Sequence, residues 1–152
     1  MTKICFAASS GGHLVEIMNL KPIMSEYDSF IITEKTQYPL TDHQIRTYNV
    51  CQVNRHELLC IFKLCVIALR AFCCFCKEKP DIVISTGALA TVPICLIGKL
   101  FRKKVIYIES YANVDSPSKT GRLVYRFADR FYVQWQALLE FYPNARFIGG
   151  IF

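Results

Sequence analysis

Apolar, strand-forming runs alternate with helix-patterned segments along the whole chain, and this alternation constrains the fold more than any other feature. Runs at 3–8 (KICFAA), 29–34 (SFIITE), 47–53 (TYNVCQV), 82–86 (IVIST), 104–110 (KVIYIES), 130–134 (RFYVQ) and 145–150 (ARFIGG) read as seven strands. Between them, 13–24, 56–78, about 91–102, 119–128 and the short WQALLEFYP read as helices, with Pro22 expected to bend or end the first. The stretch 35–46 carries Pro39 without periodicity and reads as a loop. Strands this apolar are buried on both faces, as a parallel sheet covered by helices on either side requires. Right-handed crossovers then predict a doubly wound, mostly parallel, Rossmann-like α/β sheet, and 152 residues suffice for one such domain spanning 1–152.

A Rossmann strand order of 3-2-1-4-5 sets the first and fourth strands side by side, and ligands bind beyond their carboxyl ends. The loops expected there are SSGGH (9–13), STGALAT (85–91) and ESYANVDSPS (109–118). In the first, Ser9, Ser10, Gly11 and Gly12 precede a helix whose leading amides favour an anion; a plain strand-to-helix turn fits the same residues. G-x-G-x-x-G spacing and a Walker lysine are both missing. His13 suits a general base acting on a sugar hydroxyl, or a residue that packs the first helical turn. Thr86 and Gly87 offer a second anion- or hydroxyl-binding turn, or a plain glycine corner. Glu109 ends the fifth strand, where a carboxylate can bind sugar hydroxyls, hold a base, or stand as a solvated strand-end charge. Asp115, Ser116 and Ser118 follow as weaker candidates.

The helix at 58–76 (LLCIFKLCVIALRAFCCFC) raises a separate question. A membrane span is excluded, because Lys63 and Arg70 near its middle would each cost about 2.5–3.5 kcal/mol. A spanning helix would also put strands of one sheet on opposite sides of a bilayer. His56, Lys63, Arg70 and Lys77 stand seven apart as a narrow basic stripe, and the next crossover ends in Lys99, Arg102, Lys103 and Lys104. Either 58–76 is a fully buried crossover, or its apolar flank lies on lipid with Lys63, Arg70, Lys77, Arg102 and Lys103 at the headgroups. A hydrophobic share of 53% and a mean hydropathy of +0.27 favour such a contact, and the net charge of +6 favours an anionic partner. Nucleic acid fits less well, since the basic residues alternate with apolar ones and no reader motif is present. Met1-Thr2-Lys3 runs straight into a strand without a leader pattern, which predicts a cytoplasmic chain with its 8 cysteines reduced. Cys73 and Cys76 form a C-x-x-C without a second pair, so these cysteines read as small hydrophobes; no metal or cofactor is expected.

SSGGH, ISTGALATVP, YIES and DSPSKTGRLVYRFADRFYVQW, in that order, resemble the asparagine-linked glycosylation protein fourteen family over nearly the whole chain. The lack of an N-terminal anchor resembles its bacterial capsule and exopolysaccharide branch. Such proteins are similar to the N-terminal, acceptor-side half of GT-B glycosyltransferases such as the peptidoglycan N-acetylglucosaminyltransferase. The resemblance implies that Gly11, Gly12 and His13 contact an acceptor diphosphate and place a histidine near the reacting hydroxyl. It matches Ser85, Thr86 and Gly87 to the second turn and Glu109 to the strand-end acid. It further implies a two-component hexosyltransferase, inactive as this chain alone, on the cytosolic face of an inner membrane. A separate donor-binding subunit would present a nucleotide sugar to an undecaprenyl-diphosphate-linked saccharide. A non-catalytic scaffold that recruits its partner, and a self-sufficient small nucleotide-binding enzyme, are the alternatives.

Overall fold

The computed structural model describes residues 1–35, 45–54 and 56–151. Its centre is a seven-stranded, all-parallel sheet: β1 (Lys3–Ala8), β2 (Asp28–Glu34), β3 (Arg46–Val50), β4 (Ile82–Gly87), β5 (Lys104–Ile108), β6 (Arg130–Val133) and β7 (Arg146–Phe147), in the order β3-β2-β1-β4-β5-β6-β7. The expected 3-2-1-4-5 winding is therefore present and continues through two further strands. Helices α1 (Gly12–Met18) and α2 (Lys21–Glu26) connect β1 to β2, and α3 (Cys60–Glu78), α4 (Val92–Leu100) and α5 (Lys119–Tyr125) form the later crossovers. Short 3-10 turns stand at Leu89–Thr91 and Gln136–Glu140.

Alternation along the strands sorts the core into layers. Cys5, Phe30, Val83 and Val105 pack with Ile67, Ala71 and Phe75 of α3 and Ile94 of α4. Ile4, Phe6, Ile31 and Ile84 meet Leu14, Ile17 and Met24 on the opposite face. Tyr107, Phe131, Val133, Leu138 and Tyr142 fill a third cluster beside α5, with Tyr107 stacked on Phe131.

The differences from the sequence reading have local causes. The helix expected over 13–24 divides between Met18 and Lys21, and Pro22 sits in the first turn of α2, where its missing N–H costs nothing. The strand expected over 145–150 is only the pair Arg146–Phe147. Most of the loop expected over 35–46 lies outside the described residues. The helix at 58–76 is not a fully buried crossover: Ile67, Ala71 and Phe75 face the sheet, while Ile61, Phe62 and Leu69 are 78%, 67% and 68% exposed.

At the amino end of the sheet, Glu78 closes α3 in a buried polar knot. Its carboxylate accepts from Tyr48 Oη at 2.5 Å, Lys3 Nζ at 2.9 Å and Arg46 Nη1 at 2.9 Å. Burial pushes this carboxyl up, but the bonds from Tyr48 and Lys3 and the charge of Arg46 outweigh it and hold it below its ordinary 4.5. A depressed carboxyl stabilises the fold above its unfolded-state value and loses that contribution as pH falls through the folded one. Glu78→Gln is therefore expected to cost about 1–2 kcal/mol at neutral pH and to flatten the loss of stability below about pH 4.5, as read by urea unfolding across pH.

Candidate functional site

The β1–α1 and β4 loops are tied together at the switch point. His13 Nδ1 lies 2.9 Å from the Thr86 carbonyl oxygen, and Thr86 Oγ1 donates to the His13 carbonyl at 2.9 Å. A carbonyl can only accept, so Nδ1 carries the proton, and in the neutral ring the lone pair is on Nε2, which has no partner among the described residues. Gly87 completes the cradle. Its φ of +115° suits glycine, and a Cβ there would meet Tyr107 Oη at 2.8 Å and His13 Cε1 at 3.3 Å. Ala88, next in sequence, has φ 75°, an uncommon value for a residue with a side chain.

His13 lines an open cavity of about 580 Å³ at the carboxyl ends of the strands. Around it stand Glu34 from β2, Gln52 and Asn54 after β3, His56 and Glu57 before α3, and Asn113 after β5. The described lining contains two carboxylates, two histidines, three side-chain amides and several hydroxyls, and no lysine or arginine. Glu34 is 7% exposed; it accepts from Ser10 N, Ser10 Oγ and Val53 N at 3.3, 3.2 and 3.0 Å. Those three bonds leave part of the carboxylate's acceptor capacity for a ligand.

Most residues expected to touch a ligand support the site instead. Ser85 is fully buried, donating to Thr91 Oγ1 at 2.9 Å and accepting from Gly87 N at 3.1 Å. Thr86 is fully buried and spent on His13, and Ser9 is buried with its hydroxyl on the Ser10 carbonyl. Glu109 is also buried and does not line the cavity. Its Oε2 accepts from Tyr142 Oη at 2.7 Å and its Oε1 from Asn113 Nδ2 at 2.9 Å, so it holds Asn113, which does line the cavity. Burial and this bond to Glu109 push the Tyr142 phenol up. Gly11 (φ +81°) and Gly12 remain exposed, with open space where a Cβ would stand. Ser118 caps α5 by accepting from Gly121 N at 2.8 Å and also reaches the cavity. Sequence reasoning named none of Glu34, Gln52, Asn54, Glu57 and Asn113 as site residues and read His56 only as part of a basic stripe; the available signals were the strand-end carboxylate of Glu34 and the place of Asn113 in the 109–118 crevice loop.

The five cations expected at headgroups are mostly engaged by the protein. Lys63 pairs with Glu57, Lys103 with Asp81 at 3.1 Å, Arg70 Nη1 reaches the Asn49 carbonyl at 3.4 Å, and Lys77 lies over the Tyr48 ring. Arg102, at φ 56° in the turn after α4, has no such partner among the described residues.

This arrangement has relatives. The family model described as "Oligosaccharide biosynthesis protein Alg14 like" matches residues 4–151. The chain belongs to the Alg14 family. The UDP-N-acetylglucosamine transferase subunit ALG14 of Mus musculus is 30% identical over 180 residues, covering 98% of this chain and 82% of the mouse protein. The corresponding Schizosaccharomyces pombe subunit is 40% identical over 75 residues, 46% of this chain and 36% of the yeast protein. Among solved structures, Acinetobacter baumannii MurG superposes with a TM-score of 0.79 at 17% identity, over 99% of this chain and 46% of MurG. UDP-GlcNAc 2-epimerase from Neisseria meningitidis, bound to UDP-GlcNAc, gives 0.71 at 14% identity, over 97% and 45%. This Alg14-family chain thus spans about half the length of the solved structures it matches, and its fold is one Rossmann-like half of theirs.

Proposed function

We propose that this Alg14-family chain is the acceptor-side subunit of a two-component glycosyltransferase, with His13 as the general base. The observation that carries this reading is the histidine itself: Thr86 fixes its tautomer, and Nε2, without a partner among the described residues, stands at a cavity whose described lining sets hydroxyl, amide and carboxylate groups beside Val53, Ala88, Leu89 and Ala112. Such a lining suits a neutral, polyhydroxylated saccharide. In the reaction, Nε2 takes the proton of an acceptor hydroxyl, and that oxygen forms the new bond to the donor's anomeric carbon. The bond to the nucleotide diphosphate breaks, and the diphosphate leaves with its electron pair. A separate subunit presents the nucleotide sugar; this is supported by the mouse relative, which is a UDP-N-acetylglucosamine transferase subunit. The acceptor is a polyprenyl-diphosphate-linked saccharide, undecaprenyl-linked in a bacterial capsule or exopolysaccharide setting, with its diphosphate beside the exposed Gly11–Gly12 turn. Reconstitution tests this: transfer should require both subunits, and transfer by this chain alone would overturn the division of labour.

We further propose that the subunit lies peripherally on the cytosolic face of its membrane. No helix among the described residues is long and apolar enough to cross one. The outward face of α3 presents Phe62, Leu69 and the exposed thiols of Cys65, Cys73 and Cys76, continued by Leu100 of α4. Replacing Phe62 and Leu69 together by Gln is expected to weaken association with lipid vesicles at least about tenfold, as read by co-sedimentation. Unchanged association would remove this face from the membrane.

A further inference from the structure

A second polar groove lies at the amino end of the sheet, opposite the His13 cavity. It holds about 610 Å³ between the end of α5 and the starts of β6 and β7, and Arg126, Arg130 and Arg146 line it together with Tyr125 and Asn144. Among the described residues no carboxylate pairs with any of the three guanidinium groups. Arg130 Nη1 donates to the Asp129 carbonyl at 3.2 Å, which uses one of its five N–H groups and neutralises no charge. Asp129, the one acid in the lining, has its carboxylate already committed to Lys99 Nζ at 2.5 Å and to Val105 N at 2.8 Å. The groove is braced where Asn144 N donates to Tyr125 Oη at 2.9 Å, fixing the loop before β7 to α5.

We infer that this groove binds a phosphoryl group, that of an anionic lipid headgroup. Three guanidinium forks without a carboxylate partner present the donor geometry that matches phosphate oxygens. The location favours a lipid source. Helices α3, α4 and α5 share one layer as successive right-handed crossovers, and the outer side of that layer carries the apolar residues Phe62, Leu69 and Leu100. The groove lies where α5 ends, at the amino end of the sheet, the same end at which the exposed Arg102 and Lys104 follow α4. Meanwhile Lys63, Lys77 and Lys103, expected from sequence to meet headgroups, are engaged by Glu57, Tyr48 and Asp81. Arg126, Arg130 and Arg146 thus form one cluster of guanidinium groups that no described carboxylate pairs, in addition to the exposed Arg102 and Lys104.

The inference rests on the membrane-facing reading, and three arms of one experiment separate the two. Wild-type chain, the Arg126→Gln/Arg130→Gln/Arg146→Gln variant and the Phe62→Gln/Leu69→Gln variant are each titrated with phosphatidylcholine vesicles with and without ~30% phosphatidylglycerol at ~0.1 M salt. A basic side chain at an anionic surface contributes about fivefold, so the triple variant should bind anionic vesicles about a hundredfold more weakly. It should retain wild-type binding to neutral vesicles and wild-type unfolding. Anionic-vesicle binding unchanged by the triple variant overturns the groove alone, provided the Phe62/Leu69 variant still loses binding. Loss in neither variant overturns both readings. Inorganic phosphate is the control for source: saturable, arginine-dependent binding of phosphate by wild type, without any preference for anionic over neutral vesicles, would make this a free-phosphate site and overturn the lipid assignment.

Discussion

His13→Ala should lower transfer by the reconstituted two-subunit enzyme by about 100- to 10,000-fold, the usual contribution of a positioned general base. The loss should fall on kcat, with the acceptor KM nearly unchanged, because the ring's assigned task is to take a proton rather than to anchor the sugar. The substitution should leave the fold intact: the His13 side chain is only half-buried, and the bond from Thr86 Oγ1 goes to a backbone carbonyl that alanine retains. The vacated volume opens onto the cavity, so added imidazole should restore part of the rate, which a purely structural histidine would not allow. Transfer within about twofold of wild type would remove the base and leave a scaffold that recruits its partner.

Gly121→Ala should be the most damaging single methyl in the protein. A Cβ at Gly121 would stand 1.9 Å from Glu109 Oε2 and 2.7 Å from Tyr142 Oη. Neither neighbour is a flexible tip: Glu109 is fully buried, Tyr142 is 1% exposed, and they are bonded to each other. The carboxylate must swing away, stranding Tyr142 Oη and releasing Asn113 from its place beside the cavity. Overpacking together with the broken buried bonds should cost on the order of 3 kcal/mol in urea unfolding, along with a loss of transfer. Glu109→Ala removes the clashing atom, so the double variant should lose less stability than the sum of the two singles. Simple additivity would show that Gly121 and Glu109 do not meet as described.

The parallel sheet was legible because β1, β2 and β4 are apolar on both faces, a pattern that only a doubly covered strand needs. The break between α1 and α2 was not, since Met18 and Leu20 continue a helical pattern through it, and Pro22 is equally at home in a first turn. Within the site, the sequence pointed to His13 but misjudged its neighbours. Ser85, Thr86 and Glu109 are polar residues in turns at the crevice, which is how ligand contacts look in a string of letters. In three dimensions they satisfy Thr91, His13 and Tyr142 instead. Glu34, His56 and Asn113 were not read as one site for the converse reason: a strand end, the first residue of a basic stripe and a position in the 109–118 loop share no motif, and only the β3-β2-β1-β4-β5 neighbourhood brings them to one cavity. The basic stripe of Lys63, Arg70 and Lys77 follows a real helical period, yet it points to the flank beside β3, where Glu57, Asn49 and Tyr48 occupy it.

The proposed division of labour gives the acceptor to this chain and the donor to its partner. Ligand-observed NMR on this chain alone tests it most directly, with a short-chain prenyl-diphosphate-linked saccharide and UDP-N-acetylglucosamine as the two probes. The prenyl-linked saccharide should bind saturably, more weakly after Glu34→Ala, and the nucleotide sugar should not bind. Binding of UDP-N-acetylglucosamine at the His13 cavity, with none of the prenyl-linked saccharide, would contradict that assignment.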